Sequence, residues 1–320
     1  MKKILVTGAL GQIGSELVCH LRRLYGETQV VATDIRLSDN AAAHSGPFEL
    51  LDVMDGASML EIAKAHQVDT ILHLAAILSA TAEAKPLLAW NLNMGGLTNA
   101  LEVSRELGCS FFAPSSIGAF GPGTPKKGTP QDTVQRPVTM YGVSKVAGEL
   151  LCDYYHQKYG IDTRSLRFPG LISYTAPPGG GTTDYAVDMY VEALAKGQYT
   201  SYIAAGTFLD MMYLPDALEA IVKLMEADPA RLQHRNAFNV TAMSVDPETV
   251  ATSIRRYIPG FVLNYHVDPV RQAIAESWPN SLDSTSATQE WGFSPVYDLE
   301  GMTKDMLENL SGRLTKHFAP

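Results

Sequence analysis

The chain has 320 residues, of which 46% are hydrophobic and 18% charged, as in an ordinary globular protein with a sizeable core. Its net charge of −9 at pH 7 argues against binding to nucleic acid or an anionic membrane, because both need clustered Lys and Arg. Cys19, Cys109 and Cys152 have no disulfide or metal-ligand spacing, and no apolar run is long enough to cross a bilayer. We expect a cytoplasmic protein that binds no metal, nucleic acid or membrane.

The first predicted strand leads directly into a glycine-rich turn. Residues 4–6 are a short apolar run, and Gly8, Gly11 and Gly14 follow it as a helical pattern begins. Gly8 would permit the tight turn, Gly11 would let phosphates come close, and Gly14 would let the helix pack on the strand. A turn of this kind predicts a pyrophosphate site at a helix N-terminus.

Further strands and helices alternate up to residue 168. The second strand, 30–34, ends in Asp34, about 20 residues beyond the turn, where a carboxylate typically binds the ribose hydroxyls of NAD. Strands are predicted at 48–51, 70–74, 109–113 and 162–168, and helices at 58–66, 86–107 and 141–159, with a Gly- and Pro-rich loop at 121–137. This order predicts an α/β fold with a doubly wound parallel Rossmann sheet, whose strand ends meet along one ligand-binding edge.

After residue 168 the regular alternation stops. A turning loop is predicted at 177–181, and helices at 184–196, 215–225 and 299–314. We therefore predict an NAD-binding Rossmann domain over residues 1–168. A smaller, interleaved C-terminal substrate lobe would occupy residues 169–320, with segments returning to the first domain.

Tyr141 and Lys145 are four residues apart and would share one helix face. Oxidation of an alcohol needs a base, and a free phenol has a pKa of about 10, which a neighbouring ammonium lowers. Ser115 and Ser116 close the preceding strand, where their hydroxyls can stabilise the charge on the reacting oxygen. A half-buried Tyr beside a surface Lys is the structural alternative, which the glycine turn and the serine pair disfavour. We predict Tyr141 as the catalytic base, assisted by Lys145, Ser115 and Ser116.

Together these motifs resemble the extended, epimerase-like branch of the short-chain dehydrogenase/reductases. Residues 52–53 resemble the adenine-contacting position of that family, residues 73–76 the segment under the cofactor, and residues 93–96 a helix motif of the family. The resemblance implies NAD as the cofactor. The residues expected to bind it are Gly8, Gly11, Gln12, Ile13, Gly14, Asp34, Asp52, Val53, Leu74, Ala75, Ala76, Asn93, Tyr141, Lys145, Phe168 and Pro169.

Four longer segments, 73–90, 114–122, 168–190 and 276–283, resemble the short-chain type of L-threonine 3-dehydrogenase. This resemblance implies NAD-dependent oxidation of the 3-hydroxyl of L-threonine, and a homodimer formed through the helices that begin near Pro86 and Tyr141. Asp210 and Thr288 depart from the family pattern, which has proline and arginine there. The implied substrate-binding residues are Ser79, Ser115, Ser116, Tyr141, Thr182, Thr183, Asp184 and Trp278.

Two other functions compete with this interpretation. A nucleotide-sugar epimerase or dehydratase would keep NAD bound, but the second lobe has few basic residues for a diphosphate, although Arg271 is available. A dinucleotide-sensing regulator without catalysis would not need the intact Tyr141 and Lys145. Trp278 has a structural alternative, packing inside the second lobe, and His73 is expected to be a strand-end residue and neither a ligand nor a base.

Overall fold

The computed structural model describes residues 1–175 and 180–317, with side chains described as far as residue 312, so Pro177, Pro178 and Gly179 of the predicted loop lie outside the described residues. The strands are β1 Ile4–Thr7, β2 Val30–Asp34, β3 Phe48–Leu50, β4 Thr70–His73, β5 Ser110–Phe112, β6 Ser115–Ser116, β7 Thr163–Arg164, β8 Leu166–Phe168, β9 Gly170–Ile172, β10 Gln198–Ser201, β11 Leu209–Tyr213, β12 Phe238–Asn239, β13 Met243–Val245 and β14 Val262–Tyr265. The α-helices are α1 Gln12–Tyr25, α2 Ala41–His44, α3 Gly56–Ala65, α4 Ser79–Ala84, α5 Pro86–Leu107, α6 Met140–Tyr159, α7 Tyr185–Lys196, α8 Leu214–Glu226, α9 Pro247–Arg255, α10 Pro269–Ser277, α11 Thr285–Trp291 and α12 Leu299–His317.

The main sheet contains six strands in the order β3-β2-β1-β4-β5-β7, and every pairing in it is parallel. Central strand β1 places Val6 opposite Ala32 of β2 and Leu72 of β4. The carboxyl ends of β1, β2, β3 and β4 therefore lie side by side along one edge. This arrangement confirms the predicted α/β fold with a parallel Rossmann sheet.

Both faces of this sheet are covered by helices, as continuous apolar strands predict. Ile4 and Val6 point to a core that includes α1 and α8, whereas Leu5 points to the opposite core with α3, α5 and α6. Alternate side chains of one strand thus enter different cores. The strand ends remain at the edge between the two helical layers, where a ligand can reach them.

The prediction of one strand over residues 162–168 is wrong. The chain divides at Ser165: β7 pairs with β5 in the main sheet, whereas β8 joins a separate sheet in the order β12-β8-β6. The N–H of Ser165 donates to the carbonyl of Arg235 at 2.9 Å and its hydroxyl to the carbonyl of Ala113 at 2.7 Å. The main-sheet ladder therefore ends there, and Phe168 is carried toward the edge where the site lies.

The second half of the chain builds a smaller lobe and also returns to the first. Its sheet has the order β13-β11-β9, with α7, α9, α10 and α12 around a core of their own, and β10 pairs with β14. By contrast, α8 packs in the same core as α1, and β12 pairs with β8. Elements beyond residue 168 thus pack with the first half of the chain. The domain boundary at residue 168 stays a prediction. Within the part of the chain that the structure describes, no helix combines the length and the apolar character needed to cross a membrane.

Candidate active site

The glycine turn after β1 has room for phosphate groups only because side chains are missing. Gly8 has a φ of +66°, and a Cβ built on it would lie 2.7 Å from the Ala75 nitrogen. A Cβ on Gly14 would lie 2.3 Å from the Gly8 carbonyl oxygen, so the helix can approach the strand only with glycine there. Gly11 is the N-cap of α1, and no side chain among the described residues caps this helix. Its first amide groups are therefore available to an anion.

Asp34 ends β2 beside this turn. Its Oδ2 accepts a hydrogen bond of 3.0 Å from the N–H of Leu10, so the carboxylate also orients the glycine turn. Asp52 and Val53 follow β3 along the same edge, where the exposed Asp52 accepts from the N–H of Met54. Asp34, Asp52 and Val53 thus lie at neighbouring strand ends. They do not line the open cleft between the strand ends and the second lobe.

One open cleft lies between the strand ends and the second lobe, with about 1000 Å³ of empty space when the part open to solvent is included. Ala75 and Asn93 line a smaller neighbouring pocket instead, with about 480 Å³ on the same measure. Lys145 is the only cationic side chain among the described residues that line the main cleft. Of the predicted site residues, the cleft brings together Gly8, Gly11, Gln12, Ile13, Gly14, Leu74, Ala76, Ser79, Ser115, Ser116, Tyr141, Lys145, Phe168, Pro169, Thr182, Thr183, Asp184 and Trp278.

The beginning of α6 places Tyr141 and Lys145 at the cleft. The hydroxyl of Thr139 caps this helix by accepting from the N–H of Gly142 at 3.1 Å. Tyr141 is 9% exposed, and the Lys145 ammonium lies 5.3 Å from the centre of its ring. The same ammonium donates to the carbonyl of Pro114 at 2.6 Å. Lys145 therefore connects the helix to the strand end that carries the serine pair.

The two serines have different hydrogen-bond partners. The hydroxyl of Ser115 donates to the buried carboxylate of Glu149. The oxygen of Ser116 accepts from the N–H of Gly118 at 3.1 Å, which leaves its own proton for a ligand. A Cβ on Gly118 would lie 3.1 Å from the Tyr141 ring, so the ring packs directly on this turn. The geometry narrows the prediction, because Ser116 is the better placed of the pair to donate to a reacting oxygen.

Glu149 and Arg167 form a buried ion pair that was not predicted from the sequence. The Arg167 guanidinium donates at 2.9 Å and 3.1 Å to the two carboxylate oxygens, and Gln135 donates to one of them at 2.8 Å. Both side chains are buried, and Ser115 is hydrogen-bonded to Glu149. Glu149 follows Lys145 by four residues, as Lys145 follows Tyr141, so helical spacing from the predicted tyrosine base could have found it.

The segment after the second-lobe loop supplies polar groups to the cleft. Thr182 is fully buried, and its hydroxyl lies 3.4 Å from that of Ser79. The Oδ2 of Asp184 accepts hydrogen bonds from the N–H groups of Gly180 and Gly181, at 2.9 Å and 2.7 Å. Burial raises the pKa of the Asp184 carboxyl, and these two hydrogen bonds oppose that shift. A ligand cation would therefore find a poorly solvated acid at this position.

Trp278 and His73 have polar atoms without partners among the described residues. Trp278 is 4% exposed, packs in the second-lobe core and also lines the cleft, with its indole N–H unpaired. His73 ends β4 with Nδ1 2.9 Å from the Thr7 hydroxyl and Nε2 unpaired. Burial, with a smaller effect of Lys145, lowers the pKa of His73 to about 3. The imidazole is therefore neutral near pH 7.

Comparison with known proteins points to one family. The model of the NAD dependent epimerase/dehydratase family matches residues 4–241. An uncharacterized epimerase/dehydratase of Staphylococcus saprophyticus is 61% identical over 314 residues, which cover 98% of each chain. The structure of L-threonine dehydrogenase from Clostridium difficile is 65% identical, with a TM-score of 0.96 and 98% of each chain covered. A monomeric L-threonine 3-dehydrogenase from a metagenome is 41% identical, with a TM-score of 0.94 and coverage of 97% of this chain and 99% of that one.

Proposed function

The chain belongs to the NAD dependent epimerase/dehydratase family, and we propose that it oxidises the 3-hydroxyl of L-threonine with NAD, giving 2-amino-3-oxobutyrate. The observation that carries the proposal is the convergence of the glycine turn, Tyr141, Ser116 and the 182–184 segment on one cleft. The similarity to L-threonine dehydrogenases over nearly the whole chain supports the same substrate.

The residues at the sheet edge fit NAD. The open amide groups at the start of α1 would hold the pyrophosphate, and Asp34 would accept hydrogen bonds from the ribose hydroxyls. Asp52 and Val53 would lie near the adenine, and Phe168 and Pro169 near the nicotinamide. NAD, when bound, supplies the acceptor for the hydride that leaves C3 of the substrate.

The chemistry of the chain itself concerns the proton of the hydroxyl. Tyr141 takes this proton. Lys145 donates a hydrogen bond to the Pro114 carbonyl and so holds the helix that carries Tyr141 in place. Ser116 donates its free hydroxyl proton to the reacting oxygen. Ser115 supports the site indirectly, because its hydroxyl is bonded to Glu149.

Recognition of the amino acid requires one partner for each charged end. Asp184 would pair with the ammonium, which replaces part of the solvation that this carboxylate lost on burial. The hydroxyls of Ser79, Thr182 and Thr183 and the unpaired indole N–H of Trp278 would bind the carboxylate. A nucleotide sugar suits this cleft less well, because Lys145 is the only cation in its described lining and a diphosphate needs more.

The decisive experiment measures NADH formation, by absorbance, with L-threonine and its analogues. We expect reduction of NAD with L-threonine, much less with D-threonine, and none with 2-aminobutyrate, which lacks the hydroxyl. Asp184→Asn keeps an acceptor oxygen for Gly180 and Gly181 but removes the charge, so threonine turnover should be lost. Asp188→Asn, one turn further along α7, is the control. Turnover of a nucleotide sugar in place of threonine would refute the substrate assignment.

We also propose that the enzyme is a homodimer formed through α5 and α6. The two helices pack on each other and still expose large apolar side chains. Val143, Leu150 and Tyr154 form a stripe along α6, because their spacings of seven and four residues keep them on one face. Leu87 and Leu88, at the start of α5, are also exposed.

A further inference from the structure

Two segments that are far apart in the chain pair along their backbones beside the cleft. The Lys126 carbonyl accepts from the N–H of Asn280 at 2.7 Å, and the N–H of Thr129 donates to the Ser281 carbonyl at 3.0 Å. The Asp283 N–H in turn donates to the Thr129 carbonyl at 2.9 Å. The loop after β6 is therefore joined to the segment after α10. We call residues 278–282 the Trp278 wall, because its first residue lines the cleft.

The Lys126 side chain holds the first residue of this wall. Its ammonium donates to the carbonyl oxygens of Glu276 and Trp278, at 2.6 Å and 2.9 Å. These carbonyls lie at the C-terminal end of α10, where the helix dipole favours a cation. Lys126 is half-buried, whereas the adjacent Lys127 is exposed. The ammonium therefore holds the turn from which the Trp278 indole projects.

The other end of the wall is held from the centre of the second lobe. The N–H of Leu282 donates to Oδ2 of Asp210 at 2.7 Å, and the Thr241 hydroxyl donates to Oδ1 at 2.6 Å. Asp210 is fully buried on β11. With both ends held, the position of Trp278 depends on Lys126 at one end and Asp210 at the other.

We propose that Lys126 is a positioning residue, which holds the Trp278 wall at the width of cleft that a small amino acid requires. The identity of that substrate rests on the proposed function, but the contacts of the wall do not. Lys126 follows Ser116 by ten residues on the same chain segment, so it also sets the wall relative to the catalytic strand end. It lies outside the lining of the cleft, so its loss leaves the NAD-binding and proton-transfer groups in place.

The kinetic test compares Lys126→Met with Lys127→Met, which removes the neighbouring exposed charge. We expect Lys126→Met to raise KM for L-threonine about tenfold, with kcat and KM for NAD nearly unchanged, because only substrate binding is weakened. Lys127→Met should match the wild type, and Lys126→Arg should recover part of the affinity. An unchanged KM for L-threonine would overturn the proposal. A change of the same size in kcat, KM for L-threonine and KM for NAD would also overturn it.

A second measurement does not require activity. Trp90→Phe and Trp291→Phe leave Trp278 as the only one of the three tryptophans. In this background, we expect Lys126→Met to increase acrylamide quenching of Trp278 fluorescence about twofold by local opening, and Lys127→Met to leave it unchanged. Lys126→Gln replaces the methionine variant if that one does not fold. If the wild type fails to oxidise threonine, the proposed function is refuted, whereas unchanged quenching refutes the role of Lys126.

Discussion

At the scale of single residues, the hydroxyl of Tyr141 is the atom on which the proposed chemistry depends. Tyr141→Phe keeps the ring packed on Gly118 but removes the proton acceptor. We expect kcat to fall by roughly 10²–10⁴, the usual contribution of a positioned acid–base group, while the Kd for NAD changes little. Tyr159→Phe, at the exposed end of the same helix, is the control for steady-state kinetics. Near-normal turnover of Tyr141→Phe would mean that another group takes the proton.

Asp34 is the residue that should select NAD over NADP. Its carboxylate would repel a 2′-phosphate, and Asp34→Asn removes that charge while keeping an acceptor for the Leu10 N–H. A hydrogen bond to a charged group contributes about 1.5–3 kcal/mol, so the NAD preference in kcat/KM should decrease by about 10- to 100-fold. Asp39→Asn, which changes a fully exposed carboxylate a few residues later, serves as the control. Equal efficiency of the wild type with both cofactors would contradict this role.

At the scale of elements, Gly14 allows α1 to pack against the end of β1. A Cβ at this position would lie 2.3 Å from the Gly8 carbonyl oxygen and 2.8 Å from the Ala9 Cα, and neither backbone atom can move alone. Gly14→Ala should therefore cost about 1–3 kcal/mol of the free energy of unfolding and weaken NAD binding, because the helix N-terminus is displaced. For Gly123→Ala the Cβ meets nothing within 4 Å, so denaturant unfolding and NAD titration should match the wild type.

Strand β11 carries a buried acid, Asp210, whose ionisation should be visible in stability. Burial raises the pKa of this carboxyl from 3.8 to about 7, against three opposing hydrogen bonds. The neutral form of the carboxyl is thus favoured in the folded state. The stabilisation that this raised pKa contributes is therefore complete below pH 3.8 and is lost as the pH rises through about 7.

Asp210→Asn removes this titration. The stability of the variant relative to the wild type should therefore rise between pH 4 and pH 8, by an amount on the order of 3–4 kcal/mol. Urea unfolding of both proteins at several pH values measures the difference, and groups common to both cancel. A difference that does not vary with pH would show that Asp210 titrates normally.

At the scale of the whole molecule, the apolar stripe on α6 and the exposed leucines at the start of α5 predict the association of two copies. Leu150 is 63% exposed in the middle of α6, and Leu150→Glu would place a charge in the proposed interface. We expect sedimentation velocity to give a dimer for the wild type and a monomer for this variant. Leu24→Glu, on the distant helix α1, should remain a dimer. A wild-type monomer would place this chain with the monomeric relative from a metagenome.

The local features of the site could be predicted from the sequence because they depend on spacing along one segment. Three glycines after a short apolar run make one turn, and Tyr141 and Lys145, four residues apart, must share a helix face. The alternation of strands and helices likewise predicted the parallel sheet, because the spacing of apolar residues differs between a helix and a strand. Asp34 ends its strand as predicted, since that strand's apolar run ends there.

Which distant residues meet depends on the folded chain as a whole. Ser115 donates to Glu149, 34 residues away, Leu282 to Asp210, 72 residues away, and Lys126 to Trp278, 152 residues away. The division of the predicted strand at Ser165 has the same origin, because its partner, Arg235, comes from the second half of the chain. Such pairs leave no periodic pattern in the sequence, since each depends on how the intervening chain folds. The chemical groups and their local geometry therefore follow from short stretches of sequence, whereas the contacts that hold the cleft walls around them follow from long-range folding.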